Sequence, residues 1–305
     1  RFTRRHFLKS TAAASLLYTL NPGYLAAAKS TLIKKTIPST GERLSVIGLG
    51  TSRTFDVDST TAAQSPLLEV VQAFFDNGGQ LIDSSPMYGS AEAVTGALLS
   101  QVNNKQNLFT ATKVWTNGKR EGINQMKRSM QRMGVDKIDL MQIHNLRDWQ
   151  THIDTLVEWK ASGKIRYIGI TTSHGRYHGD LEQLLQQLPL DFVQFSYNIL
   201  DREVEKRLLP IASERGIATL INRPYQRGGL FRKVRGKPLP AWTSEFDCAS
   251  WGQFFLKFIA AHPDVTCIIP ATSKLQHMVD NMGAGFGRRP DESTRRRMIK
   301  TLESI

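Results

Sequence analysis

Four side chains that can hold or transfer a proton follow three consecutive apolar runs of the sequence. Asp83 and Tyr88 follow the run QLID, Lys113 lies near the end of LFTATKV, and His144 ends IDLMQIH. A phenol is a poor acid in neutral water, and a buried lysine cation nearby makes it a better proton donor. That lysine needs a carboxylate partner, and a neutral imidazole can orient a carbonyl oxygen by hydrogen bonding. The four residues therefore predict proton delivery to a carbonyl group, with hydride supplied by a cofactor because side chains carry none.

An alternation of short apolar segments with amphipathic ones predicts how these residues are positioned. The eight candidate strands are 44–50, 80–85, 108–114, 138–144, 165–171, 191–197, 217–222 and 265–270. Strands that alternate with helices predict a parallel sheet, which is either a closed barrel or an open doubly wound sheet. The number eight favours closure, and the first strand lacks the Gly-x-Gly-x-x-Gly turn of an open dinucleotide-binding sheet. We predict an α/β fold, a (β/α)8 TIM barrel that gathers the four residues at the C-terminal ends of its strands.

The segment before the first strand predicts a β-hairpin. Residues 31–46 read TLIKKTIPSTGERLSV, with turn residues at Ser39-Thr40-Gly41. Such a hairpin is suited to covering the N-terminal end of the barrel.

Composition limits the class of protein and of partner. The 305 residues are 40% hydrophobic and 22% charged, which suits one large folded domain rather than a disordered chain. A net charge of +13 could serve nucleic acid, anionic lipid or a phosphorylated ligand. The chain has no compact basic helix and no basic stripe interleaved with aromatics, so we expect a generally basic surface and no nucleic-acid partner. The two cysteines, and the histidines His174 and His178 in a glycine-containing segment, do not predict a metal site.

Residues 1–28 have the features of an export signal. They read TRRHFLKS from Thr3, then the short apolar stretch TAAASLLYTL, and they end with Ala26 and Ala28 in a small-x-small site. This segment resembles a twin-arginine (Tat) signal peptide, and its apolar stretch is too short to span a membrane. We therefore expect residues 29–305 to form the barrel domain after cleavage. The resemblance implies a periplasmic protein that engages the Tat export machinery and has no stable membrane anchor.

The motifs around the four residues resemble those of the aldo-keto reductase family over nearly all of residues 30–290. Residues 83–92, which include Asp83, Tyr88 and Gly89, resemble the Asp-x4-Tyr-Gly segment of that family. TATKVW resembles its lysine strand and DLMQIH its histidine strand. The resemblance implies that Tyr88 donates the proton, that Lys113 and Asp83 tune it, and that His144 orients the substrate. It further implies a monomer that reduces a small aldehyde or ketone to an alcohol with NADPH.

The resemblance also implies where the nicotinamide end of the cofactor binds. The residues at the matching positions are Gly50, Thr51, Ser52, Asp83, Thr171, Thr172, Gln194, Asn222 and Arg223. Gln194 matches a glutamine that bonds the carboxamide in the family. Thr171 and Thr172 stand where many members have Ser-Asn. Asn222 and Arg223 stand where many have an aromatic residue, so that stacking by Arg223 or Tyr225 is an open alternative.

The C-terminal segment IPATSKLQHMVDN resembles the one that grips the adenosine 2′-phosphate. The implied residues are Thr272, Ser273, Lys274, His277, Asp280 and Asn281, the last two near the adenine. His277 stands where many members have arginine, and a histidine is mostly neutral at pH 7. NADPH is the expected cofactor, with NADH as the alternative.

Aromatic and apolar residues near the site are candidates for the substrate pocket. They are Phe55, Met87 and Trp115, together with Trp242 and Phe246 of the loop 235–248. A second function remains open, a cofactor-binding but non-catalytic barrel that acts as a sensor or binding module. The complete set of four catalytic residues argues against this alternative. An exported location favours it, since a periplasm offers no obvious supply of reduced nicotinamide.

Overall fold

An antiparallel hairpin precedes the barrel and covers one of its ends. In the computed structural model, which describes residues 31–62 and 65–305, strands β1 (Lys34–Thr36) and β2 (Arg43–Ser45) pair around the predicted turn. Ile37 and Leu44 of the hairpin belong to the same buried cluster as Phe109, Tyr167 and Phe192. The predicted hairpin is therefore present. The proposed signal peptide, residues 1–28, lies outside the described residues.

Eight parallel strands form one sheet in which each strand neighbours the next in chain order. They are β3 (Leu49–Gly50), β4 (Leu81–Asp83), β5 (Phe109–Val114), β6 (Ile138–His144), β7 (Ile165–Thr171), β8 (Phe192–Ser196), β9 (Ala218–Asn222) and β10 (Cys267–Ile268). Each lies within a segment predicted from its apolar run. Each is also buried along nearly its whole length, as expected for a sheet covered by helices on its outer face.

Backbone hydrogen bonds between the first and last strands close the sheet into a barrel. The amide of Gly48 donates to the carbonyl of Ile268 at 2.7 Å, and the amide of Gly50 donates to Pro270 at 3.1 Å. Both glycines are required by this close approach, because a Cβ on Gly50 would lie 2.7 Å from the backbone oxygen of Ile269 and one on Gly48 would lie 2.9 Å from that of Leu81. The predicted (β/α)8 barrel is confirmed.

Ten α-helices are found in the described residues, most of them on the outside of the barrel. They are α1 (Leu67–Asp76), α2 (Ala91–Leu99), α3 (Lys119–Met133), α4 (Trp149–Ala161), α5 (His178–Gln187), α6 (Leu208–Glu214), α7 (Gly229–Lys233), α8 (Trp251–Ala260), α9 (Leu275–Gly283) and α10 (Glu292–Glu303). In α1 the buried residues Leu67, Val70, Val71 and Phe74 recur at helical spacing and face the strands. Among the described residues, no helix is long and apolar enough to cross a bilayer.

Candidate active site

The ends of three neighbouring strands place three of the four predicted residues on one rim. Asp83 ends β4, Lys113 is the penultimate residue of β5, and His144 ends β6. Tyr88 follows β4 in the loop before α2. Parallel strands in a closed barrel all end on the same face, so residues far apart in sequence meet there. Asp83, Tyr88 and His144 line the floor of a cavity of about 860 Å³, and Lys113 lies behind them, outside the lining.

Lys113 and Asp83 form an ion pair beneath this floor. The Nζ atom of Lys113 donates to Oδ2 of Asp83 and to the carbonyl oxygen of Ser84, both at 2.6 Å. The other carboxylate oxygen accepts from the amides of Gln142 at 2.9 Å and Gln194 at 3.1 Å. Burial is the largest single influence on the pKa of Lys113 and lowers it, but the charges of Asp83 and Tyr88 and their hydrogen bonds together outweigh burial, so the net pKa lies above its usual value. Lys113 is therefore a fixed cation at neutral pH.

Tyr88 lies between this cation and the imidazole of His144. The Nζ atom of Lys113 is 5.0 Å from the centroid of the Tyr88 ring, and the two aromatic rings meet at 90° with centroids 5.7 Å apart. Burial raises the pKa of the Tyr88 phenol, and the charge of Lys113 opposes that rise without overcoming it. Lys113 thus acts in the direction that the sequence predicted, but the phenol keeps its proton. The protonated form is the one that a proton donor needs.

His144 is neutral and held by a serine. Its side chain is buried, and burial followed by the charge of Lys113 lowers its pKa to about 3. The Oγ atom of Ser85 lies 2.9 Å from its Nδ1 atom. When the Ser85 hydroxyl donates to Nδ1, the imidazole proton is on Nε2, where it can donate to a carbonyl oxygen. Sequence analysis missed Ser85, because a serine beside a strand end carries no signal of its partner.

The cavity brings together most of the residues that were predicted to hold the cofactor. Its lining includes Gly50, Thr51, Ser52, Asp83, Thr171, Thr172, Gln194, Asn222, Arg223 and His277. Several are tied into one polar network: Thr171 Oγ1 donates to Gln194 Oε1 at 3.0 Å, and Asn222 donates to the carbonyl of Thr172 at 2.9 Å. The network holds the amide of Gln194 in a single orientation.

Three buried polar atoms of the lining residues have no partner among the described residues. They are Oγ1 of Thr54, Oγ1 of Thr172 and Nε of Arg223. An unpaired buried polar atom costs free energy, so such atoms in a cavity wall are suited to bonding a polar ligand. Together with the cavity volume, they fit the amide and phosphate groups of a dinucleotide.

The predicted residues of the C-terminal segment are divided between surface and interior. Ser273 and Lys274 are exposed just before the N-terminus of α9, outside the cavity. Thr272, also outside the lining, accepts from the amide of Lys274 at 3.1 Å. Asp280 accepts from Ser250 Oγ and Gln253 Nε2 at 2.7 and 3.0 Å, and Asn281 accepts from the Tyr225 hydroxyl at 2.6 Å. These last two residues join α9 to its neighbours and do not reach the cavity.

Of the predicted substrate-pocket residues, only Met87 lines the cavity. Phe55 is fully buried in the core, and Trp115 packs under the guanidinium of Arg147 at 5.0 Å. Trp242 and Phe246 pack on each other, and Arg297 lies 4.0 Å from the Trp242 ring. The loops that line the cavity follow β3, β4, β6, β7 and β9, and no residue of the loop 235–248 is among the lining residues.

The lining contains three arginines that sequence analysis did not assign, Arg53, Arg176 and Arg227. Sequence reasoning had no signal for them, because single arginines in loops are common.

Non-glycine residues with left-handed backbone are also concentrated in this lining: Arg53, Asn145, His174, Tyr177, Arg223 and Arg227. Such backbone is strained and occurs often at functional sites. In the part of the chain that the structure describes, no cluster of three or more His, Cys, Asp or Glu side chains could hold a metal ion.

The barrel and the four residues at and behind the cavity floor are those expected of an aldo-keto reductase, and comparison with a family model gives the same assignment. Residues 46–296 match the model of the Aldo/keto reductase family, which covers most of the chain. The chain belongs to the aldo/keto reductase family and is an oxidoreductase.

Individual relatives support the same assignment at modest identity. The aldo-keto reductase YhdN of Bacillus subtilis is 28% identical over 227 residues, which are 70% of this chain and 66% of that protein. The NADH-specific methylglyoxal reductase of Escherichia coli is 29% identical over 182 residues, which are 50% of this chain and 54% of that protein. The chain thus spans about two thirds or less of the length of these two relatives.

Solved structures share the fold. An aldo-keto reductase from Bacillus halodurans superposes with a TM-score of 0.72 at 21% identity, covering 89% of this chain and 96% of that one. An aldo/keto reductase from Klebsiella pneumoniae, in complex with NADP and acetate, also has a TM-score of 0.72 at 21% identity, covering 88% and 96%.

Proposed function

We propose that this chain reduces the carbonyl group of a small aldehyde or ketone to an alcohol, with NADPH as the hydride donor. The observation that carries the proposal is the protonated Tyr88 phenol held between the Lys113 cation and the neutral His144 at the floor of a cavity. A cation below and a neutral donor beside the phenol suit a reaction that places negative charge on oxygen.

The side chains divide the work of proton delivery. When bound, the nicotinamide cofactor supplies hydride to the carbonyl carbon. His144 donates a hydrogen bond to the carbonyl oxygen and orients it. The Tyr88 hydroxyl gives its proton to that oxygen, and the phenolate left on Tyr88 is stabilised by Lys113. Asp83 keeps Lys113 charged, at 2.6 Å, so that the cation is present whenever the proton moves.

The residues around the cavity fit a dinucleotide of this kind. Thr172 and Arg223 offer unpaired polar atoms in the wall, and Gly50, Thr51 and Ser52 line it close to Asp83. Ser273 and Lys274 precede the N-terminus of α9, where a helix dipole and a cation together favour a phosphate group. This favours NADPH over NADH. The NADP bound in the Klebsiella pneumoniae structure is consistent with that preference, and the NADH-specific Escherichia coli relative keeps NADH as the alternative.

The test measures binding and turnover separately. NADPH and NADH are titrated by fluorescence into the purified domain, and NADPH oxidation is then followed with a panel of aldehydes and ketones. We expect NADPH to bind and to be oxidised, and Tyr88→Phe to abolish oxidation while it leaves binding unchanged. Tight binding without oxidation of any substrate would support the sensor alternative instead. Light scattering on the same sample tests the expected monomer.

We further propose that the chain is exported by the twin-arginine route to the periplasm. The support is the pattern TRRHFLKS with its apolar stretch and the Ala26–Ala28 site. Arg4→Lys together with Arg5→Lys is expected to block export, as measured by fractionation. Lys9→Arg serves as a control that preserves the charge. Export of the double variant at the normal level would contradict this proposal.

A further inference from the structure

Four arginine side chains are among the residues that line the cavity. Arg53 follows β3, Arg176 follows β7, and Arg223 and Arg227 follow β9. In residues 31–62 and 65–305, none of the four side chains takes part in an ion pair or donates a hydrogen bond. Arg53, Arg176 and Arg227 are exposed and Arg223 is half-buried, so all four guanidinium groups are open to a ligand that enters the cavity from solvent.

The four cations outnumber the carboxylates around them. Burial, followed by the charge of Arg227, lowers the pKa of Arg223; the charge of Asp201 opposes that shift and the charge of Arg53 adds to it. The carboxylates in the lining are Asp56 and Asp83. Asp83 is paired with Lys113, which leaves Asp56 and Asp201 as the remaining negative charges near the four arginines. The cluster therefore keeps a net positive charge, which favours an anion in the cavity.

The arginine cluster lies in the same cavity as the proposed proton donor Tyr88, where the substrate would bind. Arg227 is close enough to Tyr88 for its charge to lower the pKa of that phenol, although burial dominates the net shift. The four arginines belong to three segments that line the same cavity as Tyr88 and His144, those after β3, β7 and β9. Arg53, Arg223 and Arg227 all have left-handed backbone, with φ of 67°, 53° and 53°. Such strain, where the surrounding structure imposes it, holds these residues in place.

We propose that Arg53, Arg176 and Arg227 bind a carboxylate or phosphate group on the carbonyl substrate, while Arg223 serves the cofactor, so that the enzyme selects anionic aldehydes or ketones. The inference rests on the proposed reductase function and adds the substrate class to it. Guanidinium groups bind both anions through paired hydrogen bonds. With the anion at the mouth, the carbonyl of a short substrate lies at the floor, between Tyr88 and His144.

The experiment compares pairs of carbonyl substrates in which one member carries an anionic group and the other does not. The pairs are 4-carboxybenzaldehyde with its methyl ester, and glyceraldehyde 3-phosphate with glyceraldehyde. We expect the wild type to show a higher kcat/KM for at least one anionic member, and the pair that shows it identifies the anion. Arg53→Gln, Arg176→Gln and Arg227→Gln should each lower kcat/KM for that member about tenfold, the loss expected for one charge-assisted hydrogen bond. In Arg53→Gln and Arg176→Gln the neutral members should change less than about twofold, since they make no such bond. Arg227→Gln is judged by the ratio of kcat/KM between the anionic and the neutral member, because the charge of Arg227 also acts on Tyr88. Arg120→Gln, on the exposed face of α3, is the matched control.

NADPH titration by fluorescence separates substrate from cofactor. If the variants weaken NADPH binding and lower turnover of charged and neutral substrates equally, the arginines serve the cofactor and the inference is overturned. Equal wild-type kcat/KM within both pairs would also overturn it.

A further binding assay separates this inference from the proposed function. If no carbonyl compound is reduced, the proposed reductase function fails. Calorimetry with 4-(hydroxymethyl)benzoate and benzyl alcohol then judges the cluster alone. Selective binding of the carboxylate that is lost in Arg227→Gln supports the anion site, and the absence of selectivity refutes it.

Discussion

The ion pair between Lys113 and Asp83 is almost completely buried, so replacing one partner has a large expected effect. Lys113 is fully buried, and the Asp83 side chain is 3% exposed. Asp83→Asn leaves the buried cation with neutral acceptors only, the carbonyl oxygen of Ser84 and the amide oxygen of the new side chain. Removing one partner of a buried ion pair costs about 3–5 kcal/mol. At about 2–4 °C per kcal/mol for a domain near this size, the melting temperature should fall by roughly 6–20 °C.

The pH dependence of that loss shows whether its origin is electrostatic. In the wild type the pKa of Lys113 lies above its usual value, so the pair stabilises the fold at neutral pH and loses this effect only as the pH rises through that pKa. In Asp83→Asn, burial acts without the opposing carboxylate, so the pKa of Lys113 falls below that of the unfolded chain. The unfolded state then binds more protons, and stability rises with pH. The destabilisation should therefore shrink between about pH 6 and about pH 9, because the amine can be buried without its proton.

Urea unfolding followed by circular dichroism at several pH values is the assay. Glu158→Gln is the control, since Glu158 pairs with Lys119 where both side chains are more than half exposed. Its effect should be about 0–1 kcal/mol. The double variant Asp83→Asn with Lys113→Met should recover part of the lost stability, because it removes both charges. Equal unfolding midpoints for Asp83→Asn and the control at every pH would refute the reasoning.

Four other predictions follow from the site and the barrel closure. Tyr88→Phe should lower kcat about 10²- to 10⁴-fold, the usual contribution of a positioned acid, in steady-state kinetics, while NADPH binding persists; more than a tenth of wild-type activity would contradict this. Ser85→Ala should lower kcat/KM about tenfold through loss of the bond to Nδ1 of His144, with little change in melting temperature, and Ser85→Thr should restore it. Because burial lowers the pKa of His144 to about 3, protonation favours the unfolded chain, and the stability that His144 contributes at neutral pH is lost as the pH falls below about 6.5. A His144→Gln variant should show a flatter stability curve in that range. Gly50→Ala should cost about 1–3 kcal/mol in urea unfolding, since its Cβ would meet a backbone oxygen at 2.7 Å, whereas Gly179→Ala, which has free space, should not.

The strands and the positions of the four predicted catalytic residues could be read from local pattern. Runs such as IDLMQIH are apolar because both faces of a barrel strand are covered, and their polar last residues project onto the rim. His144, Lys113 and Asp83 could therefore be placed on one face without coordinates.

The loops could not be read in the same way. Phe55 and Trp115 were plausible pocket residues by their position after a strand, but Phe55 turns into the core and Trp115 packs under Arg147. Which way a loop side chain turns depends on contacts with residues far away in sequence, and local patterns do not report them.

The sequence by itself determined the barrel, the hairpin and the set of four chemically active side chains, because each depends on residue type and spacing along one strand. Only the tertiary structure decided the balance of pKa effects at Tyr88, the serine that holds His144, and the gathering of Arg53, Arg176 and Arg227 around one cavity. These depend on burial and on distances between separate loops. Electrostatic free energy varies steeply with both, and neither is set by positions along the chain.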